Sequence, residues 1–158
     1  PQIRSGGVTT SQVLPGSGNM MGGESFVLKM KGGPNTNGAT VQNLVLRGAA
    51  RGLKMACGEN PKRETKLEYY SNFPDTRMGA AWKMREQFQK ATDLISAQDD
   101  WDRACAAGER QTVRRPKDLS LDSVAALLRG EATLHNHCYQ VHDMVRDSNA
   151  GLISFTWY

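Results

Sequence analysis

All three histidines of the chain fall within eight residues, His135-Asn136-His137-Cys138-Tyr139-Gln140-Val141-His142. On a strand, positions i and i+2 point to one side, so His135 and His137 would face together, as two metal ligands must. Imidazole suits zinc, iron, nickel and similar ions, and a strand end holds a ligand rigidly. The competing reading is a strand with incidental histidines. A complete site needs three or four ligands, so carboxylates or a lysine would have to supply the rest. Lys54 is one such residue, set in the apolar run Leu53-Lys54-Met55-Ala56-Cys57. A buried amine is costly unless paired or modified. Carboxylation of that amine would make an anionic bridge between two metals; the alternative is a lysine that snorkels to an edge or faces water. Glu59, just past the same run, is a candidate carboxylate ligand or general base, or else an exposed turn residue.

A glycine-rich stretch, Gly16-Ser17-Gly18-Asn19-Met20-Met21-Gly22-Gly23, offers a second kind of chemistry. It fails as a dinucleotide fingerprint because the third glycine of G-x-G-x-x-G falls on Met21. It fails as a P-loop because Gly23 is followed by Glu24 rather than Lys. It is left as a loop that lines a pocket at a strand end, or as glycines that only permit tight turns.

The elements that must position these residues follow from periodicity. Residues 7–14 read as a strand running into the turn cluster Pro15 to Asn19, and Ser25 to Lys31 as a second strand closed by Gly32-Gly33-Pro34. Val41 to Leu46 has no decided state, and Leu53 to Cys57 is a further strand. From Thr76 to about Ser96 the period is helical, with Asp75 as N-cap and Ala81, Met84, Phe88, Ala91 and Ile95 on one face. A second, weaker helix spans Asp99 to Ala107. A third, Leu121 to Arg129, is capped by Ser120 and stopped by Gly130. Thr133 to Tyr139 reads as a strand, Val141 to Ser148 as a helix and Leu152 to Tyr158 as a last strand. The second half thus alternates as βα units do on a parallel sheet.

Composition bounds the function classes. The chain has 158 residues, 39% hydrophobic and 23% charged, which suits a folded protein rather than a disordered one. No apolar stretch approaches the ~18 residues that cross a bilayer. Three widely spaced cysteines without a C-x-x-C pair indicate neither a disulfide framework nor a thiolate zinc site, and a reducing, cytoplasmic setting is expected. The net charge of +4 concentrates in Arg110-Gln111-Thr112-Val113-Arg114-Arg115-Pro116-Lys117. With no aromatics interleaved to stack bases, this run reads as a solvated loop rather than a nucleic-acid surface.

Five ordered blocks carry a resemblance. Gly6-Gly7-Val8-Thr9-Thr10, Val13-Leu14-Pro15-Gly16-Ser17-Gly18-Asn19 with Met21-Gly22-Gly23-Glu24, Gly52 to Arg63, Thr76-Arg77-Met78-Gly79, and Leu127-Leu128-Arg129-Gly130 followed by Asn136-His137-Cys138-Tyr139 together resemble imidazolonepropionase-like proteins of the amidohydrolase superfamily. The resemblance implies an α/β fold, a partial (β/α)8 TIM barrel of the metal-dependent hydrolase type. Residues 1–158 would form the central portion of one catalytic domain, with the first and last strands missing. It implies hydrolysis of C–N bonds in cyclic amides, imidazolones or dipeptide-like small molecules, with one or two divalent metals, zinc above all. His137 matches the first His of the family's H-x-[HY] strand and is the implied metal ligand, with Tyr139 where relatives place a second His. Lys54 lies where some relatives carry a bridging, carboxylated lysine, and Glu59 close by competes for that role. The His-x-His that opens the superfamily's metal site should precede the Gly-Gly-Val-Thr-Thr block, and here only five residues do, none of them His. This segment alone is therefore expected to be inactive. Two other classes stay open: a non-catalytic interaction subunit retaining half a barrel, and a nucleic-acid module using Arg110 to Lys117. A small-molecule substrate and no nucleic acid or membrane are expected, with a homo-oligomer open for the complete protein.

Overall fold

The computed structural model describes residues 2–30, 40–61 and 76–148. The expected last strand, Leu152 to Tyr158, lies outside these residues, as does the expected cap Asp75. The described chain is a mixed α/β unit. A one-turn helix α1 (Gln2–Ser5) leads into β1 (Thr10–Val13) and β2 (Met21–Lys29). After α2 (Val41–Leu44) comes β3 (Arg51–Ala56), then the long α3 (Arg77–Ala106), α4 (Asp122–Leu128), β4 (Ala132–His137) and α5 (Val141–Ser148).

The four strands make one sheet in the order β1-β2-β3-β4. β1 and β2 form an antiparallel pair, and β2 runs antiparallel to β3. β3 and β4 are parallel, with Arg51 opposite Ala132 and Ala56 opposite His137. Only this last pair is the βα arrangement that the alternation in the second half implies. Their connection contains α3 and α4, as a parallel crossover requires.

The faces of β3 explain the sheet's position. Leu53, Met55 and Cys57 turn to one side and are buried against Met84, Ala91, Val124 and Leu127 of the helices, with Ala132 and Leu134 of β4 beside them. Gly52, Lys54 and Ala56 turn to the other side. This alternation puts an apolar layer between sheet and helices and a polar face opposite it. Burial of a side chain such as Leu53 contributes about 1.5–3 kcal/mol.

The structure corrects four local expectations. The two helices expected over 76–107 are one helix of 30 residues, because Ser96-Ala97-Gln98 contains no breaker and Asp99 and Asp100 are held by Arg129 and Arg103. It spans ~45 Å at ~1.5 Å per residue. Its N-cap is Thr76, whose hydroxyl accepts from the Gly79 amide at 3.0 Å. Ser120 does not cap α4; its hydroxyl and amide both bond Asp118 instead. Gly22 and Gly23 are strand residues, not loop, and a register irregularity sits between Met21 and Gly23.

The expectation of no disulfide also changes. Cys57 and Cys138 are joined by a disulfide, with Cα atoms 4.9 Å apart, while Cys105 is free and exposed. The β3–β4 register explains it: each cysteine is one step beyond the Ala56–His137 pair, so residues 81 apart in sequence meet. Among the described residues no helix is long and apolar enough to cross a membrane.

Candidate active site

The polar face of β3 and β4 carries the residues singled out in the sequence. Lys54 stands opposite His135, and Ala56 opposite His137. All four therefore share one face, in two tiers along the strands.

The lower tier is closed by hydrogen bonds. Lys54 Nζ donates to Ser17 Oγ at 2.9 Å, so the glycine-rich loop supplies a partner for the lysine rather than a phosphate cradle. Burial holds the Lys54 amine below the ordinary lysine range. Gln12 Nε2 lies 3.0 Å from His135 Nε2 and donates to Ser25 Oγ at 2.9 Å. Thr133 Oγ1 lies 3.3 Å from the same imidazole nitrogen. Gly52 makes this arrangement possible: a Cβ there would meet Ser25 Oγ at 2.4 Å and His135 Nε2 at 2.6 Å. Burial, and secondarily the Lys54 charge, push the His135 imidazole below its usual range.

The upper tier is different. His137 is half-buried, and its Nε2 is shielded from solvent with no hydrogen-bond partner. Tyr139 packs its ring edge-on against the imidazole, centroids 4.9 Å apart and planes at 84°. The Tyr139 hydroxyl donates to Asn60 Oδ1 at 2.7 Å. The Cys57 amide donates to the His137 carbonyl at 2.7 Å, which extends the β3–β4 pairing to the strand ends.

His135 and His137 thus share a face, but they are not equivalent. His135 Nε2 is engaged by Gln12 and Thr133, whereas His137 Nε2 is an orphaned buried nitrogen. A buried imidazole nitrogen left without a partner is costly in a native protein, and it fits a ligand to a divalent metal. Lys54, a partly desolvated amine in the tier below, fits such a role only after its charge is reversed by carboxylation. Glu59 is placed elsewhere: its side chain is 56% exposed, and its Oε1 lies 3.3 Å from Arg77 Nε. Among the described residues no three of His, Cys, Asp and Glu converge as a metal-binding group.

Sequence reasoning passed over the residues that brace this site. Arg77, at the start of α3, donates to Gln140 Oε1 at 3.0 Å and to Asp143 Oδ2 at 2.9 Å. Asp143 is 2% exposed. One signal was available: an arginine in the first turn of a helix opposes the helix dipole, so it stands there for a reason other than helix stability. The basic run of residues 110–117 is strapped along α3, with Arg115 paired to Asp102 at 2.8 Å and the Val113 carbonyl accepting from Trp101 Nε1.

No family model matches the chain. It is 40% identical over 149 residues to Amidohydrolase tasK of Hapsidospora irregularis, covering 90% of this chain and 15% of that protein. Its fold superposes with a TM-score of 0.71 on an amidohydrolase from Thermotoga maritima MSB8, at 29% identity over 94% of this chain and 36% of that one. Over nearly its whole length the chain is thus similar to part of two amidohydrolases. It spans about a sixth of the curated relative and about a third of the solved structure's chain. The expectation of an amidohydrolase relationship is met. So is the α/β class, at the level of a mixed four-stranded sheet with flanking helices.

Proposed function

We propose that this chain is part of a metal-dependent hydrolase that opens C–N bonds in small cyclic amides or imidazolone-like molecules, within a (β/α)8 barrel of the imidazolonepropionase-like type. The observation that carries this reading is the buried, unpartnered Nε2 of His137 at the end of a parallel strand. Support comes from the polar face that His137 shares with Lys54 and from the amidohydrolase kinship of nearly the whole chain.

In this reading His137 would be a ligand to a divalent ion, zinc by preference. Lys54 in its carboxylated form would be a second. A bound ion of this kind polarises a scissile carbonyl and lowers the pKa of water. The chain's own residues supply the frame. Ser17 holds the Lys54 amine, Tyr139 limits the rotation of the His137 ring, and the Gln12–His135–Thr133 contacts close the tier beneath. Burial favours the neutral amine of Lys54, the form that adds to carbon dioxide.

The test uses the protein at its full natural length. Ring opening of cyclic amides and imidazolones is followed by absorbance before and after treatment with a chelator. Hydrolysis that chelation abolishes, that zinc restores and that His137→Ala removes is expected. A rate indifferent to both chelator and His137→Ala overturns the proposal. The 158-residue chain by itself is expected to be inactive, and hydrolysis by it with added zinc would refute that part.

A further inference from the structure

We infer that Arg77 is a positioning residue for His137, holding together the two turns that frame its imidazole. The inference rests on the metal-ligand reading of His137 given above.

Two turns meet at the upper tier. The first follows β3 and contains Gly58, Glu59 and Asn60; the second follows β4 and contains Tyr139 and Gln140 before α5. They touch directly through the Tyr139 hydroxyl and Asn60. Gly58, at φ 74°, lies under the Tyr139 ring, where a Cβ would approach Cδ2 to 3.1 Å. The orientation of Tyr139, and through it the ring of His137 packed edge-on against it, thus depends on how the two turns sit together.

Arg77 joins both. Its Nε faces Glu59 of the first turn at 3.3 Å. Its other two nitrogens donate to Gln140 in the second turn and Asp143 in the first turn of α5. The planar fork of a guanidinium suits the two acceptors Gln140 and Asp143 at fixed angles, with the Glu59 carboxylate as an ion-pair contact beside it, which a lysine does not reproduce. The Asp143 carboxylate is almost wholly buried, so its pairing with Arg77 is a rigid anchor rather than a surface contact. The partners of Arg77 are Gln140, Asp143 and Glu59 rather than His137 or Tyr139, so it acts through the turns.

The test compares the full-length, metal-free protein with Arg77→Lys and with the double variant R77Q/D143N. The double variant removes both charges, so no buried carboxylate is stranded. The readouts are the NMR positions of the His137 ring protons, which sense the Tyr139 ring, and Zn2+ affinity by competition with a chromophoric chelator. Both variants are expected to move the His137 resonances and to weaken Zn2+ binding about 10-fold or more, the usual effect of losing a residue that orients a ligand. Arg77→Lys keeps a cation beside Asp143 and so melts near the wild type, which separates placement from stability. His137 resonances and Zn2+ affinity at wild-type values in Arg77→Lys overturn the inference, whether or not the double variant folds. A wild type that takes up no Zn2+ overturns the metal reading instead, and the ring resonances then decide Arg77 alone.

Discussion

Lys54 and His135 stand directly opposite each other on neighbouring parallel strands, in register at the Cα positions and on the same polar face. Their surroundings affect them in the same sense: burial pushes both toward the neutral form. For Lys54 the consequence is chemical. The neutral form of an amine is the one that adds to carbon dioxide, and burial favours it, so incubation with 13C-bicarbonate should give a carbamate resonance that Lys54→Arg lacks. A spectrum without that resonance in the wild type would remove Lys54 from the proposed ligands.

The same residue should leave a mark on stability. The folded pKa of Lys54 lies below its unfolded value of about 10.4. Between the two, the unfolded chain binds more protons, so stability rises with pH across that window. Below it, the buried charge is a net cost. Lys54→Met should therefore stabilise the protein at neutral pH and flatten the rise of Tm on the alkaline side. A variant whose pH profile parallels the wild type would contradict this.

At the opposite end of β3 the sign reverses. The Arg51 guanidinium, hydrogen-bonded to Glu24 and assisted by Ser123, holds the Glu24 carboxyl below the usual carboxylate range. A depressed carboxyl pKa gives stability that is present above about 4.3 and lost as pH falls through the folded value. The pair is partly exposed, so its worth is on the order of 1 kcal/mol or less. Glu24→Gln should lower stability by that amount at pH 7 and converge with the wild type in acid melts. Equal destabilisation at every pH would point to packing rather than charge.

Gly52 offers a packing test. Gly52→Ala drives a methyl into Ser25 Oγ and the His135 ring, and overpacking of this kind costs about 1–3 kcal/mol. Adding His135→Ala opens the space and should recover part of the loss in urea unfolding. Independent, additive effects of the two changes would show that the ring does not occupy that place in solution.

How legible all this was depends on range. The periods of β3, α4, β4 and α5 are readable because each rests on its own residues: the short apolar run around Leu53 and Met55, and the i, i+3 spacing of Leu121, Val124 and Leu127. Periodicity divides α3 in two, since its distal half, near Asp99 and Asp100, has little apolar period and is held by ion pairs from Arg129 and Arg103. The site was half readable. Side-chain alternation put His135 and His137 on one face, but only the fold reveals that Gln12, 123 residues away, occupies His135 and leaves His137 Nε2 without a partner. Arg77 and Asp143 escaped for the same reason: they are 66 residues apart and meet only when the strand ends do.

The pairing of Cys57 with Cys138 was also out of reach of spacing rules, and it gives the last prediction. The bond closes a loop of 81 residues across the parallel strands, and cross-links of that span limit the unfolded chain enough to be worth about 2–4 kcal/mol. Cys138→Ser should lower stability by that amount. Cys57→Ser should do the same, and both together should cost no more than either, since each removes the one bond. A reducing thiol should bring the wild type down to the level of the variants and leave them unmoved. The linked peptides should appear in a non-reduced digest, and Cys105 should alkylate freely in the native protein. Wild-type stability that ignores the thiol, with unlinked Cys57 and Cys138 peptides in the digest, would show that the two residues meet as free thiols at the ends of β3 and β4.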